Sequence, residues 1–261
     1  MKQRTLTGVV LALLSMVLLG CFHLPWVPQL IAILLGCGAV WEILGANGIR
    51  NKGSYAAGLF LAVIIPLFSL TEKVWWMAAA LVLGLGFFTY LMTRIGKQAP
   101  AWVAAPEIVL ALSLYRGLAC YGEIPHGAFF LCLTGLICAL TDIFAYLVGS
   151  RFGRRKLAPK VSPGKSIEGA LGGLGITVVL IVLVFGRFFD DIGTLVLYTA
   201  VVSILGQFGD LSMSAVKRVA GVKDFGHIFP GHGGILDRCD SLMYPLAFTW
   251  LLYCAQIWIF V

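Results

Sequence analysis

The chain is 261 residues long, with 60% hydrophobic residues, 12% charged residues and a formal net charge of +7. A soluble domain of this size carries about 25% charged residues, because its surface needs polar cover, so the composition excludes an ordinary soluble protein. The apolar residues come in blocks of about 20, long enough for a helix to cross a bilayer. They do not alternate every second residue, which argues against a transmembrane β-barrel. We therefore predict an all-α, polytopic helical membrane protein.

Nine apolar segments, taken in chain order, are predicted to cross the membrane. Their approximate bounds are 5–23, 27–46, 55–70, 74–92, 101–116, 127–148, 168–186, 191–208 and 241–260. No linker or soluble domain divides the chain, so we interpret residues 1–261 as a single integral membrane domain. Residues 1–126 contain the first five helices, and residues 127–261 contain the helices and loops that carry the candidate chemistry.

The distribution of Lys and Arg orients this arrangement. With the N-terminus in the cytoplasm, 16 of the 19 basic residues lie inside, and Lys73, Arg116 and Arg187 lie outside. An excess of positive charge on cytoplasmic loops is the rule for membrane proteins. Removing the fifth helix, which a proline interrupts, would leave 11 basic residues inside and 8 outside. The bias therefore favours nine spans and places both long polar segments, 149–167 and 209–240, in the cytoplasm.

The eighth span carries a polar stripe toward its cytoplasmic end. Its members are spaced by 4, 3, 4 and 3 residues, which places them on one helix face. In a membrane such a stripe must face protein or water. A hydrogen-bonded seam between helices is one interpretation, and the acid and bases at its end favour a functional surface. The stripe consists of Ser203, Gln207, Asp210, Ser214 and Lys217, with Arg218 beside the last.

A glycine-rich stretch and an acidic pair follow this helix. Gly231, Gly233 and Gly234 allow backbone N–H groups to approach a ligand closely, and successive N–H groups can bind phosphate oxygens. Asp237 and Asp240 lie three residues apart, at the expected start of the last helix, and share a face. Such a pair suits Mg²⁺, which binds a few carboxylates together with substrate phosphates. Capping of the helix N-terminus is the alternative for this pair.

A second polar constellation begins inside the sixth span. Asp142 is an acid within a membrane helix, which indicates a functional residue, with a structural hydrogen bond as the alternative. The basic loop that follows contains Ser162-Pro-Gly-Lys165-Ser, but it lacks the Gly-x-x-x-x-Gly-Lys pattern of a Walker phosphate loop. Nonspecific attraction of anionic lipid, at about 1 kcal/mol per basic residue, is the alternative for the whole loop.

These motifs resemble the signature of the phosphatidate cytidylyltransferase family. The resemblance is strong over residues 140–241, and the N-terminal half matches only in its hydropathy and basic start. Cys239 departs from the pattern, since the family usually has a larger apolar residue or Thr there. The signature residues are Ser214-Ala-Val-Lys217-Arg218, Lys223-Asp224-Phe-Gly226 and Pro230-Gly-His232-Gly233-Gly234-Ile-Leu-Asp237-Arg238-Cys239-Asp240.

The resemblance implies a fold of about nine transmembrane helices, often dimeric, in the bacterial inner (plasma) membrane, with an active site that faces the cytoplasm. It implies transfer of CMP from CTP to phosphatidic acid, giving CDP-diacylglycerol and pyrophosphate. It also implies a divalent cation, for which we expect Mg²⁺, held by Asp210 and Asp237, and a second cation such as K⁺ nearby. Membrane lipids are the remaining partner class, and nothing in the sequence indicates nucleic acid.

Charge neutralisation is the chemistry that this reaction requires. A phosphate monoester has its second pKa near 6, so phosphatidate is already a dianionic nucleophile that the triphosphate repels. We expect segment 209–240 to bind the triphosphate and metal, and loop 149–167 to hold the lipid phosphate. The candidate catalytic residues are Lys217, Arg218, Lys223, Asp224, His232 and Arg238. The candidate substrate-binding residues are Ser162, Lys165, Ser214, Gly233 and Gly234, and the candidate metal ligands are Asp142, Asp210, Asp237 and Asp240.

Two other functions fit parts of the sequence. A related membrane enzyme, such as a CTP-dependent polyprenol kinase or a cytidylyltransferase for another lipid, would share the charge pattern but not the complete signature. A transporter for an anionic solute would explain intramembrane acids and basic loops, but it should place function on both membrane faces. Glu42 and Glu107 are two further acids in apolar segments, and the sequence identifies no partner for either.

Overall fold

The computed structural model of the protein describes residues 17, 20–22, 24, 26–67, 75–94, 104–122, 124–226, 228 and 233–255. Over these residues the chain is predominantly helical, which confirms the predicted helical class. The first predicted span, 5–23, lies largely outside the described residues.

The described helices follow the other predicted spans. Four of them are long and apolar enough to cross a membrane by length and composition: α1, α5, α7, and α6 together with the 3-10 turn that follows it. In chain order the elements are α1 (Trp26–Ala46), α2 (Lys52–Leu67), α3 (Trp75–Arg94), α4 (Ala104–Cys120), α5 (Gly127–Phe152), β1 (Lys156–Ala158), β2 (Ser162–Ser166), α6 (Ile167–Phe185), the 3-10 turn (Gly186–Phe188), α7 (Ile192–Val219), α8 (Leu236–Cys239) and α9 (Met243–Cys254).

Two prolines decide where helices begin. Pro106 is the third residue of α4, where the N–H has no helical partner, so the helix continues through the predicted interruption. Pro245 is likewise the third residue of α9. It has no N–H to donate to the carbonyl of Ser241, and its ring would clash with that carbonyl in a continuous helix, so α9 does not continue back into α8. The prediction that Asp237 and Asp240 begin the last helix is therefore wrong. They belong to the separate turn of α8, with Asp240 as its C-terminal cap.

Helices α5 and α6 pack closely because small residues line their contact. A Cβ added at Gly169 would lie 2.6 Å from the carbonyl oxygen of Ala145, and one at Gly173 would lie 2.7 Å from that of Thr141. Glycines spaced four residues apart let two membrane helices approach in this way. This contact fixes the base from which the polar segment 153–166 leaves the membrane helices.

That segment forms a two-stranded antiparallel hairpin, whereas the sequence analysis described it as a loop. Lys156 pairs with Ser166, and Ala158 pairs with Ser162, with an irregularity between the two pairs. Ser166 also caps α6, since its Oγ accepts a hydrogen bond of 3.1 Å from the N–H of Gly169. The hairpin is therefore a continuation of the rigid α5–α6 pair.

The main apolar core joins the N-terminal helices to the helices that follow α5. Its buried members include Ile43 of α1, Leu112 of α4, Met213 of α7, Leu236 of α8 and Met243 of α9. Each of these side chains is at most 2% exposed. The short helix α8, which carries Asp237, is thus packed against α1 and shares this apolar core with α4.

Candidate active site

A cavity of about 470 Å³ lies where α5, the hairpin, α6 and α7 meet. Tyr146 and Leu157 give part of its wall an apolar character. Its polar wall combines residues from both predicted polar segments and from the membrane helices that carry them. The polar lining includes Asp142, Ser162, Lys165, Gln207 and Asp210.

Lys165 of β2 forms a salt bridge with Asp210 of α7 across this cavity. The two side chains are 25% and 26% exposed, whereas the ammonium nitrogen of Lys165 is itself buried. Ser214, one turn further along α7, donates a hydrogen bond of 3.3 Å to the other carboxylate oxygen of Asp210. The two segments that we expected to act on separate substrates therefore meet at one carboxylate.

The predicted polar stripe lies on α7 and faces protein and the cavity, as expected. At its buried end, Thr141 of α5 donates a hydrogen bond of 2.9 Å to Ser203. Gln207 and Asp210 line the cavity, and Lys217 reaches the acidic pair. The stripe is therefore a hydrogen-bonded seam at one end and a charged surface at the other.

Lys217 joins α7 to the acidic pair. Its Nζ lies 2.8 Å from Oδ1 of Asp237 and 3.9 Å from Oδ2 of Asp240. The three side chains are 12%, 4% and 14% exposed, in the same order. The second oxygen of Asp237 accepts backbone hydrogen bonds of 3.0 Å from Phe225 and 2.9 Å from Gly234. Asp237 thus organises the backbone of segment 209–240 and also neutralises a buried lysine.

The pKa values of the two acids of this pair are shifted in opposite directions. Burial acts to raise the pKa of Asp237, but the hydrogen bond and charge of Lys217 and two backbone N–H groups lower it overall. The pKa of Asp240 is raised to about 7, chiefly by burial and then by the negative charge of Asp210, while Lys217 opposes the rise. Asp142 contributes a further rise, so the ionised carboxylates repel one another and Asp240 keeps its proton up to near-neutral pH.

The repulsion among these carboxylates is compatible with a divalent cation, which would relieve it. Among the described residues, no three Asp, Glu, His or Cys side chains are grouped as a complete metal site. Mg²⁺ does not require one, because it usually takes one or two carboxylates together with phosphate oxygens and waters. Asp210 and Asp240 offer hard oxygen donors of this kind, and Asp142 lies close by. The residues present therefore fit a metal that arrives with a nucleoside triphosphate.

The remaining candidate residues lie around this centre. Arg218 donates a hydrogen bond of 3.1 Å from Nε to the carbonyl of Val161, so it joins α7 to the turn of the hairpin. Lys223, Asp224 and Arg238 are exposed to solvent. His232, another predicted catalytic residue, lies outside the described residues.

Gly233 and Gly234 lie in close contact with two carboxylates, those of Asp237 and Glu42. Gly233 has a left-handed backbone with φ of 84°, and an added Cβ there would lie 2.8 Å from Oδ2 of Asp237. An added Cβ at Gly234 would lie 2.2 Å from Oε1 of Glu42, a residue of α1. Glu42 accepts backbone hydrogen bonds of 2.8 Å from Ile235 and 2.9 Å from Leu236. The glycine-rich stretch is therefore held between two carboxylates.

The model of the cytidylyltransferase family matches residues 2–255. The chain belongs to this family. A protein from Staphylococcus haemolyticus named phosphatidate cytidylyltransferase is 37% identical over 257 residues, which cover 94% of this chain and 96% of the relative. Proteins of the same name from Staphylococcus epidermidis and Staphylococcus aureus are each 35% identical, over 254 and 257 residues, with the same coverage.

Glu42 is a residue near this site that the sequence analysis did not place. The sequence indicated only that Glu42 is an acid inside an apolar helix. Its hydrogen-bond partner Ile235 lies 193 residues away in the chain, so the sequence could not identify it. Glu107, the other unplaced acid, is 1% exposed and accepts a hydrogen bond of 2.9 Å from the side chain of Asn47. The two acids thus have different partners: Glu42 is hydrogen-bonded to the signature segment, and Glu107 is hydrogen-bonded to Asn47.

Proposed function

We propose that this protein is an integral membrane enzyme that transfers CMP from CTP to phosphatidate, giving CDP-diacylglycerol and pyrophosphate. The observation that carries this proposal is the alternation of lysines and carboxylates where the membrane helices meet the polar segments. Lys165 pairs with Asp210, and Lys217 pairs with Asp237. Membership of the cytidylyltransferase family, and relatives named for phosphatidate, support the choice of substrates.

The reaction needs charge neutralisation more than a base. A phosphate oxygen of phosphatidate attacks the α-phosphorus of CTP, the new P–O bond forms, and the bond to the β-phosphate breaks to release pyrophosphate. The attacking phosphate is largely dianionic at neutral pH, because its second pKa is near 6. In this proposal Lys165 and Lys217 exchange their carboxylate partners for phosphate oxygens as the substrates bind, which lowers the repulsion between the two anions.

Mg²⁺ is the metal that we propose for this site, with K⁺ as a further cation. When bound, Mg²⁺ would neutralise phosphate charge and help to align the triphosphate. Asp210 and Asp240 are the residues best placed to hold it, with Asp142 as a third neighbour. Asp237 remains a proposed ligand, and its hydrogen bonds give it a second task, which is to hold the segment that presents the metal ligands.

We also propose nine membrane spans, a cytoplasmic N-terminus and a cytoplasm-facing site in the bacterial inner membrane, as the distribution of basic residues predicts. The hairpin and the helix ends that flank it support this orientation, because they expose a cluster of positive charge at the same end of the helices as the cavity. A homodimer stays a prediction. The exposed basic cluster consists of Arg151, Arg154, Arg155, Lys156 and Lys160.

The proposal is tested with detergent-purified protein, radiolabelled CTP and phosphatidate. We expect lipid-soluble radioactive CDP-diacylglycerol together with one pyrophosphate per product, and dependence on Mg²⁺. A polyprenol substrate, and a polyprenol phosphate in place of phosphatidate, are the matched controls. Product with a polyprenol acceptor and none with phosphatidate would show that the substrate is wrong. Absence of CTP turnover with every acceptor would reject the enzymatic proposal.

A further inference from the structure

Glu42 lies on α1, far in sequence from the residues of the proposed active site. Its side chain is buried, with the residue 3% exposed. A carboxylate in such a place is costly unless hydrogen bonds replace the water that it loses. Those bonds come from the backbone N–H groups of Ile235 and Leu236, at 2.8 Å and 2.9 Å. Both N–H groups belong to the stretch between the glycines and Asp237.

The surface of α1 is shaped to receive this stretch. Gly38 lies one turn before Glu42 on the same helix face. A Cβ added at Gly38 would lie 2.4 Å from the side chain of Ile235, so the glycine provides the space that this side chain occupies. Because Gly226 and Gly234 have no side chain, their backbones can approach the Glu42 carboxylate closely. Space and charge on α1 therefore match one particular backbone conformation of the stretch.

That conformation sets the position of Asp237. The carboxylate of Asp237 accepts the N–H of Gly234, which precedes the two N–H groups bound by Glu42. It also holds Lys217, which lies 3.9 Å from Asp240. Four consecutive residues, 234–237, are thereby fixed between two carboxylates, one from α1 and one of their own. Glu42 is therefore connected to Asp237 and Lys217 through the backbone of this stretch.

We infer that Glu42 is a positioning residue for the reaction, which holds the 234–237 stretch so that Lys217 and the acidic pair meet the triphosphate and metal. The inference rests on the proposed function for its catalytic consequence. It assigns a catalytic contribution to the N-terminal helices, which the signature does not reach. Glu107 provides the matched comparison, since it is also a buried acid of the N-terminal helices but is hydrogen-bonded to Asn47.

The test compares Glu42→Gln with Glu107→Gln and with the conservative Glu42→Asp. An uncharged amide retains one acceptor and turns its NH₂ toward a backbone donor, so Glu42→Gln should reduce kcat by about 10- to 100-fold. The Mg²⁺ concentration for half-maximal activity should rise, the KM for phosphatidate should stay unchanged, and Glu42→Asp should recover part of the loss. Glu107→Gln should keep the wild-type kcat and Mg²⁺ dependence.

Hydrogen–deuterium exchange gives a readout that needs no turnover. In Glu42→Gln the peptide covering residues 234–237 should exchange faster, while peptides from α5 and α6 should exchange as in the wild type. Unchanged exchange at 234–237, or equal losses of kcat and melting temperature in Glu42→Gln and Glu107→Gln, would overturn the inference. An inactive wild-type protein would reject the proposed function instead, and the exchange experiment would still decide whether Glu42 holds the stretch.

Discussion

The two polar segments of this protein reach their structures in different ways. The hairpin is ordered by contacts between residues close in sequence: its strands pair with each other, and Glu168 accepts hydrogen bonds of 3.0 Å from the N–H of Arg154 and 3.1 Å from that of Arg155. The stretch around Asp237 is ordered by charged acceptors and donors from other helices, which are Glu42 and Lys217. The hairpin is therefore ordered largely by local contacts, with Arg218 and Asp210 of α7 as tertiary partners, whereas the acidic segment also needs buried charged partners from other helices.

The difference has consequences for tolerance to substitution. A hydrogen bond among exposed groups is easily replaced by water, so the loss of one contact in the hairpin costs little. A buried charged pair leaves an unpaired charge when one partner is removed, which costs far more. The same type of substitution should therefore act differently in the two segments.

The largest effect is expected from replacing the aspartates with asparagine. Asp237→Asn and Asp210→Asn should each reduce activity by at least about 100-fold, which corresponds to roughly 2.7 kcal/mol in the barrier. Asp237→Asn should also destabilise the protein by about 3–5 kcal/mol, because it leaves Lys217 buried without its partner. Asp210→Asn should change stability by no more than about 1 kcal/mol, since its pair with Lys165 is partly exposed. Steady-state rates and thermal unfolding in detergent measure the two effects.

Equal losses of stability in the two variants would show that the partly exposed pair with the hairpin and the buried pair of Asp237 do not differ as described. Near-normal turnover of both variants at low Mg²⁺ would remove both aspartates from the list of candidate ligands. Asp190→Asn, at an exposed acid outside both polar segments, is the control and should resemble the wild type.

An intermediate effect is expected from the two lysines. Lys165→Gln should mainly raise the KM for phosphatidate, and Lys217→Gln should mainly impair the use of CTP, each by about 10-fold. The reason is that Lys165 lies beside the apolar wall of the cavity, whereas Lys217 lies between the acidic pair. Steady-state kinetics with each substrate varied in turn distinguish the two defects.

Lys156→Gln and Lys160→Gln are the controls for this comparison, because both lysines are exposed on the hairpin. Similar small losses in these variants and in Lys165→Gln would favour nonspecific attraction of anionic lipid. A selective CTP defect in Lys165→Gln would show that the roles of the two segments are assigned the wrong way round. The contact between Lys165 and Asp210 makes this outcome a direct test of the proposed division.

The smallest effect concerns Asp240 and pH. Its pKa of about 7 in the folded protein exceeds the ordinary aspartate value, chiefly because of burial and the charge of Asp210. A carboxyl whose pKa rises on folding binds its proton more tightly in the folded state, so its stabilising contribution is present at low pH and is lost as the pH rises through about 7. We expect the melting temperature of metal-free wild type to fall by a few degrees as the pH rises from about 4.5 to about 7.5, with little further change above that.

Asp240→Asn should show a smaller fall over the same interval, since the amide does not titrate. Thermal unfolding at a series of pH values, with Asp224→Asn as the exposed-acid control, measures the difference. Identical profiles for wild type and Asp240→Asn would mean that this carboxyl is already ionised well below neutral pH.

Much of the site was predictable because helical periodicity fixes which residues share a face. The spacing of Ser203, Gln207, Asp210 and Lys217 predicted a polar stripe, and the structure places all four along one face of α7. The signature residues predicted the family, which the comparison of the chain confirms. The roles of the individual site residues stay predictions.

Other features had no sufficient signal in the sequence. The hairpin arises from a short polar stretch without alternating apolar residues, so its strand pairing could not be predicted. The break before α9 was signalled by Pro245, whose effect on the preceding turn was not recognised. The salt bridge between Lys165 and Asp210 required the packing of α5, α6 and α7, which sequence spacing does not specify.

The sequence by itself determined the membrane class, the helix faces and the family, because hydrophobicity, period and signature motifs are properties of neighbouring residues. Only the tertiary structure decided which charges meet. Glu42 and Ile235 are 193 residues apart, and their contact exists because α1 packs against α8 and places a buried carboxylate opposite two backbone N–H groups. A buried charge selects its partner by distance and geometry in three dimensions, and the order of residues along the chain does not record that distance.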